Sequence, residues 1–559
     1  MKLKYIFFPA VALVFSSALM TACTDTDTAP EGDVVTSDQI EDLVSKDPSV
    51  LANTAAGMVT SIANEYNVFT SSTRADDCGY PSVCLSEGTN SGDVVSPASG
   101  YNWFSVACSF KDRTYTYANP YIRWSIYYNQ IMAVNDLIAK IDPETENDVL
   151  KGYLGIAKAT RAFDYLQLVQ NYAFNYVGHA DDPCVPIYLS TIEGDVYDTS
   201  RQTVATVYQV VLADLEAAET LLQDYTRPSK DYINLAVVYG LRARYHLVRQ
   251  EWAEAATYAQ KCIDEAAKEG LAPASIADVS KVGNMFHSLS ENNWIWGMAF
   301  TKSMIQTDGE YETWIAQISS LAAYSYTTEV ACYRAINSAL WNTISNTDVR
   351  KGWWVDENLE SPLIEGKTWA YGGDAEKEAP LGQSTGDIQE FLPYTNVKFG
   401  VANGELATTN TSSDFPMMRV EEMYLILAEA KGRLNESEGI SVLENFVKTY
   451  RDPSYVYANT HTATFVDEVW RQRRIELWCE GFAMQDIRRL KKPLVRFSTT
   501  GVTSNWDDQY KFNLPAEDPY MLMVIPSREI DGNELISDGD NNQYGSTPAP
   551  NSNSTLVDG

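Results

Sequence analysis

The chain has 559 residues, with 42 Lys or Arg and 75 Asp or Glu, and its formal charge is −33. Because affinity for a phosphate backbone comes from Lys and Arg, this charge argues against nucleic acid as a partner. The 45% share of hydrophobic residues is enough to bury a core, which excludes disorder as a description of the whole chain.

The N-terminus has the pattern of a secretion signal that ends at a cysteine. Two lysines precede an apolar run over residues 5–20, which is too short and wrongly flanked to be a membrane span. Two small residues then precede Cys23, whose thiol can accept a lipid before cleavage. We therefore predict a lipoprotein signal peptide at 1–22 and a lipid on Cys23, with ordinary secretion as the alternative. Cleavage removes two lysines and no carboxylate, so the mature charge is −35.

Two segments with different composition and periodicity follow the signal peptide. Residues 23–36 are polar and lack apolar periodicity, so they are predicted to form a flexible tether. Residues 37–559 are predicted to form a single domain, most of which has helical period. The pattern predicts helices over residues 124–138, 148–173, 204–222, 232–249, 252–267, 417–434, 440–450 and 465–490.

The predicted helices follow one another in pairs. Small residues lie at the crossing points, for example Ala255, Ala256 and Ala259, and this pattern is typical of a tetratricopeptide-like repeat. The predicted fold is therefore mostly α, a tetratricopeptide-like helical repeat scaffold with helix pairs at about 120–270 and 416–450.

A loop-rich, partly irregular insert is predicted between these groups of helices, at about 275–415. Trp294-Ile295-Trp296 has the character of a short strand, and residues 365–414 are rich in Gly, Thr, Ser and Asn. Because binding sites are commonly carried by loops on a rigid scaffold, the insert is predicted to lie on the ligand side.

Seven cysteines remain after Cys23, so at least one thiol is predicted to be unpaired within the chain. Cys78 and Cys84 lie close together in a predicted loop and are the best candidates for a disulfide, although the sequence leaves open whether they form one. Cys262 and Cys479 fall in helical patterns and are predicted to be small core residues.

The sequence contains no complete enzyme motif. Gly382–Gly386 fits G-x-S-x-G but lacks the strand before it and the helix after it that a nucleophile elbow needs. Asp538, Asp540 and Asn542 have the opening spacing of a calcium loop without its glycine or distal glutamate. We predict no enzyme, no metal and no cofactor, while a structural calcium stays open.

Several blocks of sequence resemble the SusD/RagB family of surface lipoproteins. They keep the family's order from residue 23 to about 545 and are specific when taken together. The blocks are Asp77–Pro81 with Gly92–Val94, Arg161–Phe163, Arg419-x-x-Glu422 with Ala428–Ala430, Arg473–Leu477 with Glu480–Gly481 and Asp486–Arg489, and Ile525–Pro526 with Glu529–Ile530 and Asn533.

The charged blocks are interpreted as scaffold. Arg473, Glu476 and Glu480 have the spacing of one helix face, where opposite charges pair locally, and Arg419 and Glu422 are three residues apart. Two positions depart from the family pattern and put the local salt bridges in doubt. They are Gln472 in place of Glu and Ala483 in place of Arg.

The resemblance implies a function at the outer membrane. It implies a lipid-anchored, cell-surface protein that binds an oligosaccharide without catalysis, with an oligopeptide as the alternative ligand. Its partner would be a SusC-like TonB-dependent transporter, over which it acts as a lid. Two other classes stay open: a helical-repeat adaptor that binds only a protein, and a surface glycosidase whose carboxylate pair the sequence does not identify.

The candidate ligand surface is assigned to two loop regions, residues 74–104 and 314–326. Sugar rings stack their apolar faces on Trp and Tyr, so aromatic residues of these loops are the first candidates, and plain loop packing is the alternative for each. The assigned residues are Arg74, Asp76, Asp77, Tyr80, Tyr101, Asn102, Trp103, Trp314 and Tyr324, with Tyr326 in the same segment.

Overall fold

The computed structural model describes residues 37–62, 74–100, 102–190, 199–301, 313–323, 325–499, 504–543 and 546–557. These residues are mainly helical, which confirms the predicted fold class. None of the described helices is long and apolar enough to cross a bilayer. The helices are α1 (Ser37–Lys46), α2 (Ala52–Ser61), α3 (Tyr80–Asn90), α4 (Ser105–Cys108), α5 (Ala118–Ile138), α6 (Asp148–Tyr172), α7 (Tyr176–His179), α8 (Val204–Leu221), α9 (Leu235–Val248), α10 (Trp252–Lys268), α11 (Trp314–Ile318), α12 (Ser338–Trp341), α13 (Val420–Leu434), α14 (Glu436–Tyr450), α15 (Phe465–Glu476), α16 (Ala483–Arg489) and α17 (Ser527–Gly532).

The long helices pack on their neighbours in the chain. Helix α5 contacts α6, α6 contacts α8, and α9 contacts α10. Helix α10 then packs on α13 and α13 on α14, so the two groups of predicted helix pairs form one scaffold. Small residues allow these close approaches, as at Gly439, where an added Cβ would lie 2.4 Å from the Cα of Gly432.

The insert between α10 and α13 has little regular structure, as predicted. The predicted strand at Trp294 is confirmed, and its antiparallel partner explains why α13 begins at Val420 and not at Met417. Buried Trp353 and Phe399 belong to the same hydrophobic core as the helices, so the insert packs on the scaffold. The strands are β1 (Val94–Val95) paired with β3 (Ala335–Ile336), β2 (Trp294–Met298) with β6 (Phe415–Arg419), and β4 (Thr368–Trp369) with β5 (Ala379–Pro380).

The predicted helix over 465–490 is wrong in its middle, because the chain turns sharply between α15 and α16. Cys479 has φ +63° and Gly481 has φ +89°, values of the left-handed region that end a helix. A Cβ on Gly481 would lie 2.8 Å from the Sγ of Cys84. A side chain at position 481 would therefore clash with α3 as well as strain the backbone.

The local pairing predicted for Arg419 and for the Glu476–Glu480 block is wrong, because these side chains pair between elements. Arg419 Nε lies 2.8 Å from Glu480 Oε2, and its Nη1 lies 3.0 Å from Glu476 Oε1. Glu422 instead pairs with Arg244, at 2.7 Å. Because α15 ends at Glu476, Glu480 is carried by the following turn and not by the helix face that holds Arg473.

These pairs belong to a buried group that we call the central ion cluster. Its seven side chains are almost fully buried and come from the insert, β6, α13, the end of α14, the end of α15 and the α15–α16 turn. Gln472, one of the departures from the family pattern, accepts a hydrogen bond from Arg350 at 2.5 Å and donates one to Glu468. The members of the cluster are Arg350, Lys398, Arg419, Glu421, Arg451, Glu476 and Glu480.

The cysteine predictions are partly corrected. Cys78 and Cys84 are buried free thiols, so the disulfide considered for them is not present. Cys84 lies inside α3, a helix whose residues are all buried. Cys262 and Cys479 are buried as predicted, although Cys479 lies in the turn after α15.

Candidate functional site

The two loop regions predicted to form the ligand surface meet in the folded chain. The rings of Trp103 and Tyr326 are 6.4 Å apart between centroids, at an interplanar angle of 64°. The guanidinium carbon of Arg74 lies 5.7 Å from the centre of the Trp103 ring. Trp103 and Tyr326 are each half-buried. We call these three residues the loop cluster.

Arg74 is held in place by a buried carboxylate. Its Nε and Nη2 donate to Asp76 Oδ1 and Oδ2 at 3.0 and 2.9 Å, a bidentate pair. Asp76 also accepts a hydrogen bond from the Asn119 amide of α5 at 3.2 Å. The Asp76 side chain is 2% exposed and that of Arg74 is 26% exposed. Arg74 can therefore reach a ligand, whereas Asp76 positions Arg74.

The loop that carries Trp103 is braced from within. Asn102 is buried, its amide donates to the Pro97 carbonyl at 3.0 Å, and its Oδ1 accepts from the Phe104 N–H at 3.1 Å. This corrects the predicted contact of Asn102 with a ligand, because its side chain closes the turn that presents Trp103.

The segment that carries Tyr326 is braced in a similar way by hydroxyl groups. Ser325 Oγ accepts from the Thr328 N–H at 3.2 Å. Thr327 and Thr328 donate to the carbonyls of Ser319 and Ala322 at 2.6 and 2.8 Å. Both sides of the loop cluster are therefore fixed by buried polar contacts, which favours a preformed surface.

Three other predicted site residues lie in the interior. Tyr80 is 6% exposed and Asp77 is fully buried, while Trp314 is 3% exposed. The Trp314 ring packs on the rings of Phe399 and Phe415, and its indole N–H donates to the Ser413 carbonyl at 2.9 Å. These side chains pack the core beneath the loops, so their assignment to the ligand surface is corrected.

Three predicted positions remain. Cys23, Tyr101 and Tyr324 lie outside the described residues. Tyr326, which the sequence places in the same loop segment, is an aromatic partner of Trp103.

The motifs considered for catalysis and metal binding have structural roles in the described residues. Ser384 donates to the Ile388 carbonyl at 3.0 Å within its own turn. Asp540 caps its short helix through Ser537, and Asn542 accepts a hydrogen bond from Arg201. Across the part of the chain that the structure describes, no group of three or more His, Cys, Asp or Glu side chains could hold a metal.

Two large clefts lie apart from the loop cluster and were missed from the sequence. One is bounded by residues 341–368 and 380–381, and we call it the insert cleft. The other is bounded by residues 337–348, 452–474, 495–498 and Val557, and we call it the tail cleft. The tail cleft brings together segments that are far apart in the chain, so no local pattern predicts it.

Two family models match the chain. Residues 44–247 match the model described as starch-binding associating with outer membrane, and residues 365–544 match that of the SusD family. These ranges include most of the helical scaffold on both sides of the insert, apart from α10, and most of the central ion cluster. No curated protein matches the sequence significantly.

Solved structures share the fold along nearly the whole chain. A SusD-like carbohydrate binding protein from Bacteroides vulgatus has a TM-score of 0.67 at 23% identity, with 89% of this chain and 98% of that chain covered. A SusD superfamily protein from Bacteroides thetaiotaomicron has a TM-score of 0.65 at 18% identity, with 91% and 100% covered. Surface glycan-binding protein A from the same organism, in complex with laminarihexaose, has a TM-score of 0.59 at 14% identity, with 89% and 99% covered.

Proposed function

Because this chain belongs to the SusD/RagB family, we propose that it is a lipid-anchored protein of the cell surface that binds nutrient oligosaccharides at the loop cluster. Binding is non-catalytic, and the bound oligosaccharide is passed to a SusC-like TonB-dependent transporter, over which this protein acts as a lid. The structural neighbour that holds laminarihexaose supports a glycan ligand over an oligopeptide.

The observation that carries the proposal is the contact of Trp103 with Tyr326 and Arg74. Two half-buried rings in a T-shaped contact leave part of their faces to solvent, and a sugar can stack its apolar face there. The Arg74 guanidinium offers hydrogen-bond donors to hydroxyl oxygens at the rim. Because the surrounding loops are braced, little conformational entropy is lost when a ligand binds.

Truncation of Trp103 should weaken oligosaccharide binding without unfolding the protein. A stacked ring contributes about 1 kcal/mol, so Trp103→Ala should lower the affinity about five- to tenfold. The wild-type affinity should be in the micromolar to millimolar range. Calorimetry with neutral glycan and peptide panels measures the change, and thermal melts check the fold.

Trp252→Ala is the matched control, because Trp252 is also half-buried but lies on α10 and contacts Arg433. This control should bind as tightly as the wild type. Unchanged affinity in Trp103→Ala would remove Trp103 from the site. Any product formed from the glycan would overturn the non-catalytic proposal and favour the glycosidase.

The membrane anchor is tested at Cys23. Cys23→Ser removes the thiol that accepts the lipid, so the protein should leave the outer-membrane fraction and partition into the aqueous phase of a detergent extract. Thr26→Ser, in the same predicted tether, should stay in the membrane fraction. Equal retention of both variants would contradict the anchor.

The transporter partnership is tested by gentle solubilisation of the outer membrane. Isolation of the protein should recover a TonB-dependent transporter, which mass spectrometry identifies. Recovery of the protein alone in several mild detergents would contradict the partnership. Recovery with a different protein and no transporter would favour the adaptor alternative.

A further inference from the structure

We propose that the insert cleft is a second binding site, for a neutral oligosaccharide chain. Its volume is about 1020 Å³, at the upper end of the range for ligand pockets. None of Arg74, Trp103 and Tyr326 lines it, so it is separate from the loop cluster. This site is independent of the proposed function of that cluster.

One wall of the cleft is a tryptophan held in a defined orientation. The Trp341 indole N–H donates to the Lys351 carbonyl at 3.3 Å, and Lys351 Nζ lies 4.3 Å from the centre of the ring. Tyr394 meets the same ring in a T-shaped contact at 5.5 Å. Trp341 is nevertheless only half-buried and lines the cleft. An oriented, partly exposed aromatic ring suits the stacking of a sugar.

The cleft also contains charged side chains that make no ion pair or hydrogen bond with the described residues. Glu360, Glu365 and Lys367 line it and are exposed. Their backbones make hydrogen bonds at Glu360 and Lys367, but none of the three side chains has an ion-pair or hydrogen-bond partner among the described residues. Two other lining residues are engaged, Asp348 with Arg350 and Lys351 with the Asn346 side chain. The three unused groups supply acceptors and donors for sugar hydroxyls.

The charge balance favours a neutral ligand. Asp356, Glu360 and Glu365 line the cleft against Lys351 and Lys367, and the whole chain carries a charge of −33. An acidic glycan would be repelled by this field, whereas hydroxyl groups hydrogen-bond to carboxylates without that cost.

The neighbouring tail cleft indicates a ligand longer than one sugar. It has the same volume, about 1020 Å³, and Thr347 and Asp348 line both clefts. An oligosaccharide seated on Trp341 can therefore continue past these residues into the tail cleft. The two clefts together suit a chain of several sugars.

The test measures binding in a protein whose loop cluster has been weakened. Laminarihexaose, maltohexaose and cellohexaose are titrated into the mature Trp103→Ala protein by calorimetry, and binding of at least one of them should persist. Adding Trp341→Ala should weaken this remaining binding about tenfold or more. Glu365→Ala with Lys367→Ala should weaken it severalfold and, because neither side chain has a described partner, should leave the melting temperature unchanged.

The outcomes separate the two sites. If Trp103→Ala alone abolishes binding of all three hexasaccharides, the proposal of a second site is wrong, and the proposal of binding at the loop cluster is supported. The second site also fails if the remaining binding is unchanged in both cleft variants, or if none of the three binds the wild type. If a hexasaccharide of uronic acids binds more tightly than the three neutral hexasaccharides, the proposal of a neutral ligand is wrong. Binding that is lost in the cleft variants but kept in Trp103→Ala supports the insert cleft and contradicts the loop cluster.

Discussion

Replacing Glu476 with alanine should destabilise the protein by about 3–5 kcal/mol, the usual cost of leaving buried charges without their partner. Glu476 lies at the centre of the central ion cluster. Arg451 Nε is 2.8 Å from its Oε2, Arg350 Nη1 is 3.2 Å from the same oxygen, and Arg419 Nη1 is 3.0 Å from its Oε1. Alanine would leave three buried guanidinium groups facing too few carboxylates.

Denaturant unfolding followed by tryptophan fluorescence measures this change. Glu357→Ala is the control, since Glu357 is exposed in the insert and should change the free energy of unfolding by less than about 0.5 kcal/mol. Glu476→Gln keeps the shape of the side chain and some of its hydrogen bonds, so it should lower the free energy of unfolding less than Glu476→Ala does. A loss below about 1 kcal/mol in Glu476→Ala would contradict a structural role for the cluster.

The same residue should make the protein sensitive to acid. Burial by itself would raise the pKa of the Glu476 carboxyl, but the charge and hydrogen bonds of Arg451, with the charges of Arg419 and Arg350, hold the pKa well below its usual range. A carboxyl whose pKa is lower in the folded than in the unfolded chain stabilises the fold above its unfolded pKa. This stabilisation should fade as the pH falls below about 4.5. In Glu476→Gln, the free energy of unfolding should therefore fall less steeply over the same pH range.

Replacing Arg496 with leucine should destabilise the protein by a similar amount, about 3–5 kcal/mol. The Arg496 guanidinium donates to the carbonyls of Thr89, Asn90, Ser91, Cys108 and Tyr510 at 2.6–3.3 Å. Leucine would leave these buried carbonyls without the donor that they share. Since they include the end of α3 and the end of α4, the loop that carries Trp103 should also loosen.

Two readouts check this prediction. Unfolding in urea should give the loss of stability, and calorimetry should show weaker glycan binding at the loop cluster. Arg496→Lys keeps the charge but has fewer donors in a less suitable geometry. Its free energy of unfolding should therefore lie between those of the wild type and Arg496→Leu. Wild-type stability in Arg496→Leu would show that water replaces the guanidinium without cost.

Several features of the site could be predicted because they are local. The loop positions of Trp103 and Tyr326 follow from the break in helical period around them, and the resemblance brings their two segments together. The depth of each side chain could not be predicted in the same way. Helix α3 is buried on all sides, including Glu87 and Asn90, so it lacks the amphipathic pattern that marks a helix in sequence. For this reason the sequence predicts a loop at Tyr80 and Cys84, where the structure has a helix.

The partners of the charged residues could not be predicted from the sequence either. Spacing along a helix predicts contacts only between residues three or four apart. Arg419 pairs with Glu421, two residues away, but also with Glu476 and Glu480, which lie 57 and 61 residues away along the chain. Such pairs depend on how α13, α15 and the turn at Gly481 pack together, which no local pattern records.

The sequence by itself determined the mostly helical repeat scaffold, the irregular insert and the family, because apolar period and residue blocks are properties of short segments. Tertiary structure alone decided which aromatic side chains reach solvent, where the charges find partners and where the clefts open. Burial and pairing depend on the packing of segments that are distant in sequence. The free energy of that packing is a sum over many weak contacts, and no single segment contains it.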